Sequence, residues 1–224
     1  MRGDASVRVA HQLGRAEDLA RQVERLLAPF RGDERALDSG CGAGALAFAL
    51  APYVREVIGV DLSRDLVEAG REHAPDNVTL IEGDATALPF GVGEFDIAGS
   101  LRVLHHVRRP ELVVSELARV TRRGGRILIV DQLGDVDPLR SREIDVFEQA
   151  RDPSHTRLLP DGDIRSLLDA NGLVVTHNEI VHERRELEAY LDLAGTSGDA
   201  RVEAERLSPG PVFHVEVGCY VARR

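Results

Sequence analysis

Lysine is missing from this sequence altogether, so all 28 basic residues are arginine, and tryptophan is missing with it. Without an ε-amine there is no Schiff base, no attachment point for pyridoxal phosphate and no phosphate-gripping lysine of the P-loop kind. Cysteine is scarce. Cys41 and Cys219 stand alone, one in a glycine-rich turn and one in a terminal strand pattern, which makes neither a disulfide framework nor a metal cluster. Reduced thiols are expected. No apolar run approaches the roughly 18 residues of a membrane span, and the opening MRGDASVRVAHQ lacks the apolar stretch of a secretory signal. The expected location is cytoplasmic. Positive charge is in deficit too: 38 acidic residues give a net charge of −10, and basic pairs such as Arg108-Arg109 and Arg122-Arg123 are scattered. That balance disfavours bulk attraction to nucleic acid.

What is present reads as one globular domain. At 224 residues a single core can bury roughly 70 to 75% of the surface that the unfolded chain exposes. Residues 13–28 place Ala16, Leu19, Ala20, Val23, Leu26 and Leu27 at helical spacing, stopped by Pro29. Short β-branched runs then alternate with helical patterns: ALD (36–38), VIGVD (57–61), VTLIEGD (78–84), FDIAGS (95–100) and RILIVD (126–131). Ser63 is the expected N-cap of one intervening helix and Pro110 opens another. Strands and helices alternating at these lengths predict an α/β, Rossmann-like parallel sheet with helices on both faces. Beyond residue 131 the pattern predicts a helix near 138–150, a helix at DGDIRSLLDANG with Gly172 at its C-terminus, and a strand LVVTHNEIV. Helical pieces at about 184–194 and 198–207 and a closing strand FHVEVGCYVA follow.

In such a sheet, ligands lie beyond the carboxyl ends of the strands, near the switch point between first and fourth. Asp38, Asp61, Asp84, Ser100 and Asp131 end the predicted strands. Gly40, Gly42 and Ala45 fit the dinucleotide fingerprint G-x-G-x-x-A, with Asp61 about 20 residues on for a ribose hydroxyl. A nicotinamide dinucleotide is therefore one reading. Asp38 opposes it, since a carboxylate ~5 Å from a pyrophosphate costs about 3 kcal/mol at an effective dielectric of ~20. An adenosyl ligand with a cationic amino-acid group turns that cost into attraction, and S-adenosylmethionine is such a ligand. Asp61 would accept its ribose hydroxyls and Asp84, followed by ALPF, its adenine amine. The glycines at 40, 42 and 44 would let backbone approach the methionyl part, whose carboxylate the next helix N-terminus would receive.

The series LDSGCGAG, VIGVDLS, GDATALPF, EFDIAGS, LHHV and ELARVTRRGGRILIVD, in that order from Arg35 to Asp131, resembles the class I S-adenosylmethionine-dependent methyltransferases. It is most similar to their ubiquinone and menaquinone C-methyltransferase branch, and ARDPSHTRLLPDGDIRSLLDANGL resembles the matching part of many bacterial members. The resemblance implies a seven-stranded sheet with an antiparallel last strand, methyl transfer to a small-molecule acceptor, and S-adenosylhomocysteine as by-product. It implies a single domain over 1–224: an N-terminal helix in 1–30, a cofactor core at 35–131, and an acceptor cover from 132–160 and 182–208. The implied cofactor residues are Asp38, Gly40, Cys41, Gly42, Gly44, Asp61, Leu62, Asp84, Ala85, Ser100 and Leu101. Two features depart from the pattern. Ser39 stands where an apolar residue is usual and is expected to point to solvent. Few residues precede the first helix, so the site is expected to be open or covered by a partner subunit, in a monomer or a homodimer, unless the given start is late.

Methyl transfer from a sulfonium is an in-line displacement, so holding acceptor and methyl at about 3 to 3.5 Å supplies most of the catalysis. A protein base is optional. His105 and His106 follow the fourth strand, and an imidazole suits a phenol or acidic carbon; His106 is preferred. A hydrogen-bonding role within the turn is the bland alternative. His155, with Arg151 and Arg157, forms a second cluster that could face an anionic acceptor, against a loop anchored on Asp152. Glu143, Asp145 and Glu148 are expected on a solvated helix face. The stripe Val113, Leu117, Val120 is expected in the core, and His11, His73, His177, His182 and His214 are expected to be structural. No metal site is apparent, because the adjacent His105 and His106 have no third ligand at suitable spacing; Asp131 leaves a catechol-type divalent ion as a remote option. Besides the oxidoreductase, two alternatives remain open: a non-methylating reaction such as cyclisation on the same fold, and a non-catalytic partner subunit.

Overall fold

The computed structural model describes residues 16–224. The first helix, α1 (Ala16–Leu27), buries Val23 and Leu27 and ends before Pro29; positions 13–15 of the predicted helix, and His11, lie outside the described residues. Five parallel strands follow in the expected alternation: β1 (Arg35–Ser39), β2 (Glu56–Asp61), β3 (Val78–Glu82), β4 (Phe95–Leu101) and β5 (Thr121–Gln132). Between them lie α2 (Ala45–Leu50), α3 (Arg64–Arg71) and α4 (Pro110–Val120). Ser63 accepts from Leu66 N at 3.4 Å, and Pro110 opens α4.

The second half comprises α5 (Pro138–Arg151), α6 (Asp161–Ala170), β6 (Val174–Glu186), α7 (Leu187–Ala194), α8 (Gly198–Leu207) and β7 (Val212–Arg223). The seven strands form one sheet in the order β3-β2-β1-β4-β5-β7-β6, with β7 antiparallel to both its neighbours. This is the Rossmann-like arrangement that the alternation predicts. β6 runs on to Glu186, where a helical start near 184 was expected. The reason is its ladder with β7, which continues through Glu186↔Val212; the helical spacing of Leu187, Tyr190 and Leu191 takes over only at α7.

Side chains alternate across the sheet with period two. Leu128 and Val130 of β5 join Leu46, Leu50 and Val57 in a core under α1, α2 and α3. Ile127 and Ile129 face the other way, onto Val113, Leu117, Ile164 and Leu168 of α4 and α6. Each such fully buried aliphatic contributes about 1.5–3 kcal/mol. The Val113, Leu117 and Val120 stripe lies in this core as expected. A smaller apolar cluster, Phe147, Leu187, Tyr190, Leu191 and Ala204, ties α5, α7 and α8 together. Among the described residues, no helix is long and apolar enough to cross a membrane.

Candidate functional site

Asp38 lies in β1, level with Gly59 of β2 and Gly99 of β4. Glycine on both flanks removes the side chains that would hold a helix off the sheet; a Cβ on Gly99 would fall 2.6 Å from Leu46 of α2. The helix closes in, and Ala47 N donates to Asp38 Oδ2 at 2.9 Å. Oδ1 of the same carboxylate is buried with no hydrogen-bond partner among the described residues, as are Ser39 Oγ and Ser100 Oγ. Ser39 is thus wholly buried at the end of β1 and does not reach solvent: it is the last strand residue, and the turn begins after it. Burial, reinforced by Asp61 and opposed by the Ala47 amide, pushes the Asp38 carboxyl up to about 7.

The turn from β1 to α2 carries Gly40, Gly42 and Gly44, all at positive φ (77°, 55° and 97°). At Gly40 glycine is required twice over, because a Cβ there would also lie 2.4 Å from Val103. Gly40 N and Cys41 N donate to Val60 O at 2.8 and 3.0 Å, docking the turn on β2. The Cys41 side chain points into the core, and burial, with Asp38 and Asp61 adding, pushes its thiol up; it offers the site backbone only. Asp61 completes the turn, with Oδ2 taking Gly42 N at 2.7 Å and Oδ1 taking Ser63 N at 2.8 Å. Ala47 of the six-residue α2 has already committed its amide to Asp38, which reduces what that helix start offers a carboxylate.

Asp84 is exposed and braces its own loop, with Oδ1 accepting Thr86 N and Oγ1 at 2.8 and 2.7 Å. Beside it Ala85 is half-buried, and Leu62 presents 74% of its surface to solvent. Leu101 packs partly against the core under α1. Asp84, Asp61, Asp38 and Ser100 follow consecutive strands in the order β3-β2-β1-β4, a row of about 14 Å at the usual strand spacing. Such a row suits an extended ligand with several polar groups.

Arg102 was not found from sequence. It follows β4 with φ 60°, the one positive-φ residue other than glycine among those described, and pairs with Glu183 at 2.8 Å. No residue-type signal marks such strain in advance.

The histidines form a second group at the same edge. Asp131, at the end of β5, takes Leu104 N on Oδ2 at 2.7 Å, and its Oδ1 meets both Gln132 N at 2.8 Å and His105 Nδ1. Burial would raise this carboxyl, but His105, Arg102 and the Gln132 amide hold it below the usual range. His106 stacks on His105 with ring centroids 4.1 Å apart, and its Nδ1 lies 3.0 Å from Ser154 Oγ, which donates to Asp152 at 2.6 Å. The serine proton being spent, the network assigns Nδ1–H to His106 and leaves its lone pair on Nε2. Burial and then His105 push His106 down to about 4, so it is neutral at pH 7.

His155 does not form a separate cationic cluster. Its ring lies 5.7 Å from that of His105, and Nε2 bonds Asp145 at 2.8 Å. Arg151 is buried, paired with Glu148 at 2.8 Å and stacked 4.1 Å over Tyr190, while Arg157 is exposed. Glu148 is 2% exposed and bonds Gln132, Arg151 and Tyr190. Asp145 also turns inward, taking Leu158 N at 2.8 Å. The solvated face expected for α5 therefore holds for Glu143 alone of the three. Glu148 and Asp145 turn inward because Tyr190 of α7 and the 152–158 segment pack against them. Among the described residues, no three His, Cys, Asp or Glu side chains group as metal ligands.

A family model described as methyltransferase domain matches residues 37–129, from β1 through most of β5. An uncharacterized methyltransferase of Bacillus subtilis (strain 168), YcgJ, is 33% identical over 187 residues, covering 82% of this chain and 73% of that protein. Its crystal structure superposes with a TM-score of 0.85 at 26% identity, covering 93% of this chain and 98% of that one. A demethylmenaquinone methyltransferase of Clavibacter sepedonicus is 36% identical over 137 residues, 60% of this chain and 56% of that protein. A geranyl diphosphate methyltransferase solved in complex with SAM shares the fold, with a TM-score of 0.66 at 20% identity over 92% of this chain and 84% of that one.

Proposed function

The chain belongs to the S-adenosylmethionine-dependent methyltransferases, and from that premise we propose that it methylates a small-molecule acceptor at oxygen or carbon. The observation that carries the reading is the pair of buried oxygens without a partner among the described residues, Asp38 Oδ1 and Ser100 Oγ, beside the glycine turn. Buried polar atoms left unpaired cost about 1–3 kcal/mol each, and a ligand that supplies a cationic donor relieves that cost. Asp38 Oδ1 would take the ammonium of the methionyl group. Asp61 keeps lone pairs for the ribose hydroxyls beyond the two amides it already holds. Asp84, with Leu62 and Ala85, would receive the adenine. When bound, the cofactor supplies an electrophilic methyl carbon on a sulfonium; the chain's residues hold the acceptor in line and take its proton.

For that proton His105 is the base we assign. Its Nδ1 is engaged by the Asp131 carboxylate, which orients the ring, leaves the lone pair on Nε2 and stabilises the imidazolium. His106 is the second reading, supported by its greater exposure, although a group held near 4 is a weak base at pH 7. The acceptor would lie between this turn and the cover built by α5, α7 and α8.

The test is methyl incorporation from labelled cofactor across a panel of phenols, hydroxy acids and enolisable carbonyl compounds. Label in at least one product is expected. Tight binding of S-adenosylhomocysteine with no label in any product would instead favour a non-methylating reaction or a partner-subunit role. On a labelled acceptor, His105→Gln should lower turnover by about 10² or more with cofactor affinity unchanged. Loss confined to His106→Ala would transfer the role to His106, and loss in neither would leave positioning as the whole of the catalysis.

A further inference from the structure

His155 is 4% exposed. Its Nε2 bonds Asp145, and its Nδ1 is buried with no hydrogen-bond partner among the described residues. A carboxylate on Nε2 fixes the proton there, so Nδ1 carries the lone pair. A histidine kept only for packing gains nothing from an orphaned ring nitrogen, which costs about 1–3 kcal/mol. That lone pair belongs to a ring whose centroid lies 5.7 Å from that of His105, with 37° between the ring planes, and backbone contacts tie the two segments together. Thr156 N and Oγ1 both donate to His105 O at 2.8 Å, and Asp152 Oδ1 braces Ser154 N at 3.0 Å. Asp145 is 19% exposed, so the far end of the chain of groups reaches solvent.

We propose that His155 is the second station of a proton path: the proton received at His105 Nε2 passes to His155 Nδ1 and leaves past Asp145. This rests on the reading of His105 as the base. The acceptor's O–H or C–H bond breaks as its electron pair takes the methyl group, and the proton adds to His105 Nε2, giving an imidazolium paired with Asp131. Transfer through one water to Nδ1 restores neutral His105 and makes an imidazolium at His155 paired with Asp145. Loss of the Nε2 proton to water at Asp145 returns the ring to neutrality, and once product has left, the Nδ1 proton departs through the bridging water while Nε2 takes one back from water at Asp145, which restores the starting tautomer. No oxidant or metal enters. The charged and titratable groups facing the two rings are Asp131 from β5, Asp145 from α5, His106 from the turn and Asp152 from the following segment.

Nitrogen-15 NMR of the imidazoles, on the full chain with S-adenosylhomocysteine, tests this without an acceptor. At pH 8, His155 should appear as the Nε2–H tautomer and His105 as the Nδ1–H tautomer, which leaves a lone pair on His155 Nδ1 and on His105 Nε2. An Nδ1–H tautomer at His155, or an Nε2–H tautomer at His105, overturns the proposal. On a labelled acceptor, His155→Gln and Asp145→Asn should each lower kcat about tenfold, with KM and cofactor affinity unchanged. Added imidazole should restore part of the rate to His155→Ala. Loss of activity in His105→Gln with full activity in His155→Gln would sink the path alone; full activity in His105→Gln would sink the base assignment beneath it.

Discussion

Replacing Asp38 by asparagine should make the free protein more stable and the cofactor complex weaker. The carboxyl is lifted from 3.8 to about 7 by burial, with one amide on Oδ2 and, among the described residues, no partner on Oδ1. A folded-state value above the unfolded one means that the native chain binds this proton more tightly. Asp38's contribution is therefore fully present below about pH 4 and is lost as pH rises through 7. Lifting the carboxyl from 3.8 to about 7 corresponds to at most about 4 kcal/mol lost by pH 8. Asparagine keeps an oxygen for Ala47 N and carries no charge, so Asp38→Asn should recover a sizeable part of that loss, raising the unfolding midpoint at pH 8 by about 5–10 °C. At pH 4 the two proteins should differ little. In the same variant, the charged partner for an ammonium is gone, and S-adenosylhomocysteine should bind about 10- to 100-fold more weakly. Scanning calorimetry at pH 4 and 8, with titration calorimetry for the ligand, reads both effects. A variant less stable than the parent at pH 8, or one that binds the ligand equally well, refutes the reasoning.

Two further substitutions probe the scaffold. Gly40→Ala meets both a left-handed backbone and Val103 at 2.4 Å; it should cost about 2–5 kcal/mol in denaturant unfolding, and a cost under 1 kcal/mol would show that the turn relaxes freely. Glu148→Ala leaves Arg151 buried without its carboxylate, for an expected loss of about 3–5 kcal/mol; a neutral result would mean that the cover is held by its apolar cluster alone.

The sheet was legible because β1 to β5 each carry buried apolar residues with a polar residue at or next to the strand end, and because helices with Ser63 and Pro110 at their starts separate them. Glycine spacing likewise marked the turn, and Asp38, Asp61 and Ser100 lie around it as expected. Three things were not legible. The orientation of α5 was missed because Glu148 and Asp145 look solvated until Tyr190 and His155, 42 and 10 residues away, are brought against them. The approach of His155 to His105 depends on how the 152–158 segment folds back onto the turn after β4, which no local periodicity encodes. Ser39 gave a turn-like signal, yet it closes a strand, because a short polar residue suits either setting and only the ladder with Val60 decides.

The glycine bend beside Asp38 should accept an adenosyl amino acid and reject a diphosphate. Thermal unfolding of the wild-type chain with S-adenosylhomocysteine or NAD, each in excess, tests it directly. Saturation at 100 times the dissociation constant adds about 2.7 kcal/mol, or roughly 5–10 °C for a chain of this size. That shift is expected with S-adenosylhomocysteine and none with NAD; a shift with NAD alone would refute the preference.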